Sequence, residues 1–464
     1  MAETVIHQVR IQKTGFNRRL IAPMVLGSIL NPINSSIISI ALIPIGRAFN
    51  APPSETAWLI SALYLATAIG QPVVGKLIDT FGPRLLYLLG TLLVGLASLI
   101  AIFSPQLWWL VIARVLLGFG TCAGYPSSMY LIRSESERTG EKSPSGILTI
   151  LAVANQTIAV IGPTLGGLLI QVGGWQSTFL VNLPLSLACV ILGWLYFPRT
   201  AALKKADDTR TTGKFDLLGM ALFALMLTTL LFFLMNPQLK LMYLLLITVI
   251  SALVMAWVEL RFAKAPFIDL KVFAGNLPLI ATYVRSLLTA TISYCFLYGF
   301  TQWLEEGRGL SPSQAGMLLL PLFITAIAVS SLTGKSPKIR PKLLWGVIIQ
   351  LIASILMLFV NGESSIIFLI VIVLVLGIPQ GLLNLANQNA VYYQARKEQI
   401  GASAGLLRTF MYLGAIVASS ANGIFLKQGA GSIGMHHVTS FMVIVGGLLA
   451  ILTIADCSLK KVIK

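Results

Sequence analysis

The side chains able to hold charge or move a proton are few in this sequence. Its 464 residues contain 16 acids and three histidines. No acid falls at the middle of a long apolar run: Asp79, Asp216, Glu259, Glu305, Glu306 and Asp456 all sit near run ends. Three arginines do lie inside such runs, namely Arg114, Arg285 and Arg408. A guanidinium deep in hydrocarbon costs about 3 kcal/mol on insertion scales, so each must face protein or water. Gln380, Asn384, Asn387 and Gln388 are spaced i, i+4, i+7, i+8 and share one helical face, and Asn31, Asn34, Ser35 and Ser39 do the same. Such stripes either line a polar site or bond neighbouring helices together. Tyr298, Gln302 and Trp303, with Phe300 beside them, suit an aromatic and amide wall, although Trp303 lies where an interfacial belt residue would. There is no nucleophile–base pair and no metal-ligand spacing. His436 and His437 stand without a second cluster, and Cys122, Cys189, Cys295 and Cys457 form no C-x-x-C. The expectation is therefore no enzyme, no cofactor and no metal.

The composition explains where these residues must sit. The chain is 56% hydrophobic and 11% charged, with a mean hydropathy of +0.86, which places it among polytopic membrane proteins. Its net charge of +17 comes in short clusters between apolar runs rather than in one basic domain, so nucleic acid is not the expected partner. The first apolar run is too long for a signal peptide and is expected to stay as a span.

A bilayer core takes about 20 helical residues, and fourteen stretches fit: 20–45, 56–77, 85–104, 107–132, 145–171, 177–197, 215–235, 239–259, 277–303, 313–333, 343–361, 364–390, 401–425 and 438–457. With these spans, 26 of the 33 Lys and Arg residues fall on the side that carries both termini. The opposite loops hold Arg47, Lys240, Arg308 and Lys427. The positive-inside rule then puts both termini in the cytoplasm.

The fold expected is an all-α integral membrane protein. Residues 1–19 form a cytoplasmic N-terminus, 20–197 a six-helix bundle, 198–214 a solvated linker, 215–259 an inserted helix pair, 260–457 a second six-helix bundle and 458–464 a tail. An internal echo supports two halves. Gly334-Lys335 followed by Pro341-Lys342-Leu343-Leu344 repeats Gly75-Lys76 and Pro83-Arg84-Leu85-Leu86, without the acid.

Gly75, Leu77, Asp79, Gly82 and Arg84 form G-x-L-x-D-x-x-G-x-R, which resembles the loop between the second and third helices of the major facilitator superfamily. Arg114-Val115-Leu116-Leu117-Gly118 resembles its R-x-x-Q-G element with leucine in place of glutamine. Gly162-Pro163-Thr164-Leu165-Gly166-Gly167 resembles the G-P-x-x-G-G element of antiporters. The stretches 175–184, 259–273 and 309–316 look like signatures of the fourteen-span drug:proton antiporter branch, DHA2. The resemblance implies the major facilitator fold, with fourteen transmembrane helices and alternating access around a midplane site. It implies that Asp79 holds the two halves together at the cytoplasmic side, where a carboxylate can accept helix N-terminal amides and pair with an arginine. It also implies a coupling role for Arg114, beside the plainer one of an ion pair or carbonyl contact. For Gly162, Pro163, Gly166 and Gly167 it implies gating, beside simple close packing.

Span one departs from the branch, which commonly has an aspartate where this chain has Asn34. Asn34 cannot carry a proton, so Asp79, Glu305 and Glu306 become the coupling candidates. The expected substrate-binding set is Asn31, Asn34, Arg285, Tyr298, Gln302, Gln380, Asn384, Asn387, Gln388 and Arg408. Arg285 and Arg408 lie about 12–13 Å from a cytoplasmic helix end, and facing a cavity they favour anions. The expected function is export of small, drug-like molecules by proton antiport, by a monomer in the bacterial inner membrane. Export of an endogenous anion such as an organic acid or siderophore is the alternative within transport. A non-transporting receptor or scaffold is the alternative outside it.

Overall fold

In the computed structural model the described residues are 16–51, 53–56, 58–140, 145–199, 216–235, 238–261, 267, 275–310, 312–426 and 431–456. The expected linker from 200 onward, the tail 458–464 and most of 262–274 lie outside them, as do the side chains of Ser39 and Pro163. The described chain is helical, with no strand. The first half contains α1 (Ile21–Phe49), α2 (Trp58–Phe81), α3 (Pro83–Ile102), α4 (Leu107–Thr121), α5 (Gly124–Thr139), α6 (Ser145–Gly173) and α7 (Asn182–Tyr196). Next come α8 (Leu217–Met235) and α9 (Met242–Arg261). The rest is α10 (Leu277–Gln302), α11 (Pro312–Gly334), α12 (Ile339–Leu356), α13 (Ile366–Gln394), α14 (Ile400–Phe425) and α15 (Ser432–Ala455). Among the described residues thirteen helices are long and apolar enough to cross a membrane, with α4 and α5 counted as one span. The segment expected at 145–171 is the continuous helix α6.

Several helices turn a stripe of large aliphatic side chains outward and keep small or polar ones inside. On α3, Leu85, Leu89, Leu92, Leu96 and Leu99 form an exposed stripe, while Tyr87, Thr91, Val94, Ser98 and Ala101 are buried on the opposite face. Lipid is as apolar as leucine, so helix association gains most from close backbone approach and internal hydrogen bonds. Thr91 thus bonds its own Tyr87 carbonyl, and Ser186 reaches the Thr91 carbonyl at 2.6 Å. The same rule breaks span four at Cys122 and Ala123. A Cβ on Gly124 would stand 2.0 Å from the Gly27 carbonyl oxygen, so α5 lies directly on the backbone of α1.

Helix α1 packs on α6, α2 on α4, and α3 on α4 and α7; in the second half α10 packs on α14 and α15, and α13 on α11 and α12. Contacts across the halves run through α2–α14, α5–α14 and α6–α11. The pair α8–α9 packs mainly on itself, with α8 touching both α2 and α14. Ser420 donates to the Leu234 carbonyl there, and Trp58 meets Phe232 at 5.7 Å between ring centroids.

Arg285 was expected to face a substrate and is instead fully buried in a structural ion pair. Its Nη1 meets Asp456 Oδ2 at 2.5 Å and its Nη2 donates to Thr282 Oγ1 at 2.6 Å. Thr282 passes the link to Gln394 at 2.7 Å, tying the ends of α10, α13 and α15 together. Removing one partner of such a pair leaves a buried uncompensated charge, which costs about 3–5 kcal/mol. Arg285→Ala is therefore expected to lower the thermal unfolding midpoint of the purified protein. Arg285→Met combined with Asp456→Leu is expected to recover most of the loss, and a double variant no better than the single would disprove the pairing.

Candidate functional site

Asp79, in the last turn of α2, is buried although it is charged. Its Oδ1 accepts the Gly401 N–H and its Oδ2 the Ala402 N–H, each at 2.8 Å. Both donors belong to the first turn of α14, where amides have no intrahelical partner and the helix dipole favours an anion. This contact needs the two backbones almost touching. A Cβ on Gly75 would lie 2.3 Å from the Gly401 carbonyl oxygen, and one on Gly405 2.3 Å from that of Gln71. Thr409 Oγ1 continues the seam by donating to the Ala68 carbonyl at 2.9 Å. Gly82 has φ +92°, a left-handed value that turns the chain from α2 straight into α3. Arg84 points elsewhere: it donates to the Trp194 carbonyl at 2.7 Å and stacks on the Trp194 ring, tying α3 to α7.

Two further seams close the same end of the bundle. Gly334 stands to α6 as Gly75 stands to α14, since a Cβ there would meet Thr149 Oγ1 at 2.0 Å. Ser145 donates to the Lys335 carbonyl and Gln156 to Ser330 at 3.2 Å. On the other flank Arg133 donates to the Tyr392 carbonyl at 3.1 Å, and Glu137 pairs with Lys397 at 3.2 Å. Lys76, Arg84, Arg133 and Lys335 mark this as the basic end.

Beyond the seams lies a cavity of about 770 Å³ between the halves. From α1 it takes Asn31 and Ser35, and from α13 Gln380, Asn384 and Gln388. Tyr298 of α10 and Arg408 of α14 also face it. Sequence reasoning overlooked Tyr64, Tyr294 and Tyr412, as well as Asn155, Gln156 and Gln350, all of which line it. Amides and phenols inside long apolar runs were the available signal. Asn155 and Gln156 sit well inside α6, and Tyr64 in the first third of α2. Tyr412 donates to Asn31 Oδ1 at 2.7 Å, and Tyr64 meets Tyr412 at 5.7 Å between centroids, so α14 again touches the first half. No acid occurs among the described lining residues.

Other expected residues are elsewhere. Asn34 exchanges hydrogen bonds of 2.8 Å with Asn182 and joins α1 to α7. Asn387 is buried outside the cavity wall, and Gln302 is exposed near the end of α10. Glu305 and Glu306 follow in a π-helical turn, Trp303–Gly307, away from the cavity. Trp303 is buried and stacks on Phe300 at 5.7 Å, so it is no interfacial belt residue. Arg114 is buried and donates to the carbonyls of Leu59 at 2.8 Å and Asn34 at 3.2 Å. Gly162 and Gly166 bring α6 against Ser36 and Ile37 of α1, whereas a Cβ on Gly167 would meet nothing.

Hydrogen bonds to a charged group contribute about 1.5–3 kcal/mol each, and Asp79 makes two. Asp79→Ala is expected to raise the population open at the basic end by at least about tenfold. A cysteine placed at Gln388 reports this through faster labelling by a membrane-impermeant maleimide added on that side. Labelling no faster than with Asp79 in place would show that the contact does not hold the seam.

The sequence profile of the Major Facilitator Superfamily matches residues 24–419. The uncharacterized MFS-type transporter YwoD of Bacillus subtilis (strain 168) is 33% identical, over 94% of this chain and 96% of its own. The multidrug efflux pump SdrM of Staphylococcus aureus (strain N315) is 26% identical, over 92% and 94%. In fold the chain is similar to the human organic anion transporter MFSD10 (TETRAN), with a TM-score of 0.67 and 13% identity over 93% of this chain and 99% of that one. With helices packed around a cavity that is sealed at one end, and with the profile covering most of its length, this chain belongs to the Major Facilitator Superfamily: it is a multi-pass membrane transporter and not an enzyme.

Proposed function

We propose that the protein exports small drug-like molecules from the bacterial cytoplasm by proton antiport, as a monomer of the fourteen-span drug:proton antiporter branch. The observation that carries this reading is the cavity sealed at its basic end by Asp79 on the first turn of α14. The positive-inside rule makes that end cytoplasmic, with both termini on the same side. The sealed state is then the outward-facing half of an alternating-access cycle. SdrM, a multidrug efflux pump alike over nearly its whole length, supports drug-like cargo. Two six-helix halves with α8–α9 between them account for α8 resting on both α2 and α14.

The proton is assigned to Asp79. With no acid lining the cavity, and with Glu305 and Glu306 away from it, Asp79 is the coupling candidate that touches a moving contact. Protonation removes the charge that the α14 amides stabilise, loosens the seam and opens the basic end. Loss of the proton to the cytoplasm restores it.

Proteoliposomes with an imposed pH gradient and a panel of fluorescent drugs test this. The native protein is expected to move at least one compound uphill. Asp79→Asn is expected to abolish the uphill component and keep downhill exchange, while Glu305→Gln and Glu306→Gln keep both. No movement of any compound by the native protein would refute export, and undiminished uphill flux in Asp79→Asn would refute the proton assignment.

A further inference from the structure

We infer that the cavity is built for an aromatic organic anion, held with its acidic head on Arg408 and its ring body among Tyr64, Tyr294, Tyr298 and Tyr412. The inference rests on the exporter reading above and narrows its substrate.

Arg408 carries the only formal charge among the described residues lining the cavity. The three arginines inside the spans are satisfied very differently. Arg285 has a carboxylate at 2.5 Å, and Arg114 has two backbone carbonyls. Arg408 forms no ion pair or hydrogen bond among the described residues. Its guanidinium lies 4.1 Å from the centroid of the Tyr125 ring, and a ring face compensates a cation only in part. A cation so placed in a low-dielectric cavity attracts an anionic solute and repels a cationic one. The absence of a lining acid leaves no site for the opposite preference.

Measured from the basic end of each helix, Arg408, Asn31, Asn155 and Gln388 lie about 9–15 Å in, at helical rise. The four tyrosines lie roughly 18–32 Å in on the same scale. The floor is therefore polar with one cation, and the wall above it is aromatic. Tyr294 and Tyr298 meet at 5.5 Å and Tyr64 and Tyr412 at 5.7 Å between centroids, making two aromatic pairs of the kind that stack on a planar solute.

Gln350 lines the cavity at 2% exposure and its Nε2 has no partner, and Gln388, at 3%, has an unpartnered Oε1. A carboxamide offers a donor or an acceptor after a half-turn, so both can adapt to a carboxylate or to a polar ring substituent. The volume of about 770 Å³ suits a solute of drug-like size. Arg408 also stands two turns from Gly401 on α14, so an anion drawing it from Tyr125 acts on the helix that Asp79 holds.

The test uses purified full-length protein in phosphatidylcholine nanodiscs and three tritiated probes with one ring system: naphthylacetate, its neutral amide and naphthylmethyl-trimethylammonium. Scintillation proximity gives binding, with empty nanodiscs subtracted. The anion is expected to bind at least about tenfold more tightly than the amide, and the cation most weakly. Arg408→Gln should bring the anion level with the amide, while Arg408→Lys keeps the preference for negative charge. The amide reports an intact cavity in each variant. The inference is overturned if the cation binds the native protein as tightly as the anion, if Arg408→Gln keeps the anion preference, or if none of the probes saturates. Any of these results with drug flux intact in proteoliposomes removes only the substrate class. Absence of all flux removes the exporter reading itself.

Discussion

The structure depends on one carboxylate taking two free amides in the first turn of a helix in the other half of the chain. Asp79 bonds Gly401 and Ala402 because Gly75 and Gly405 let α2 and α14 approach backbone to backbone. The geometry satisfies two problems at once. The contact gives partners to N-terminal amides of α14 and to the buried carboxylate at the same time. A contact in which each partner resolves the other's desolvation is strong while both are present, and sensitive to any change of charge. Those properties suit a gate.

The halves are not mirror images in their chemistry. Gly334 comes against the Thr149 side chain of α6 where Gly75 comes against the backbone of α14, and the bonds that Ser145 and Gln156 give this seam are neutral. An acid is present on one side of the pseudo-symmetric pair and absent from the other. Arg133 and the Glu137–Lys397 pair add a flank that is partly exposed, where screening leaves an ion pair worth little.

The three arginines within the spans show how context sets the role of one residue type. In sequence all are cations inside apolar runs. Arg114 is absorbed by carbonyls of α2 and α1, Arg285 by an acid just past α15, and Arg408 rests on a ring of α5. The first two stitch helices together. The third lines the cavity.

Much of the architecture was legible in the order of the residues. The mean hydropathy, the run lengths and the one-sided Lys and Arg clusters specify a multi-pass helical chain, because hydrocarbon admits only backbones that satisfy themselves. Gly75, Gly82 and Asp79 stand in a short polar pattern between two apolar runs, which places them at a helix end, whereas the contact of Asp79 with another helix was implied only by resemblance and Gly405 was not singled out. The cavity was legible in part. Asn31, Gln380, Asn384 and Gln388 share faces that helical periodicity predicts, but periodicity does not say which face meets a void and which meets a neighbour. Asn34 went to Asn182, 148 residues away, and Arg285 to Asp456, 171 residues away. Only the folded chain brings such pairs within hydrogen-bond reach, so the sequence by itself determined which groups had to be satisfied inside the membrane, and the tertiary structure decided which of them would satisfy one another and which would be left for a ligand.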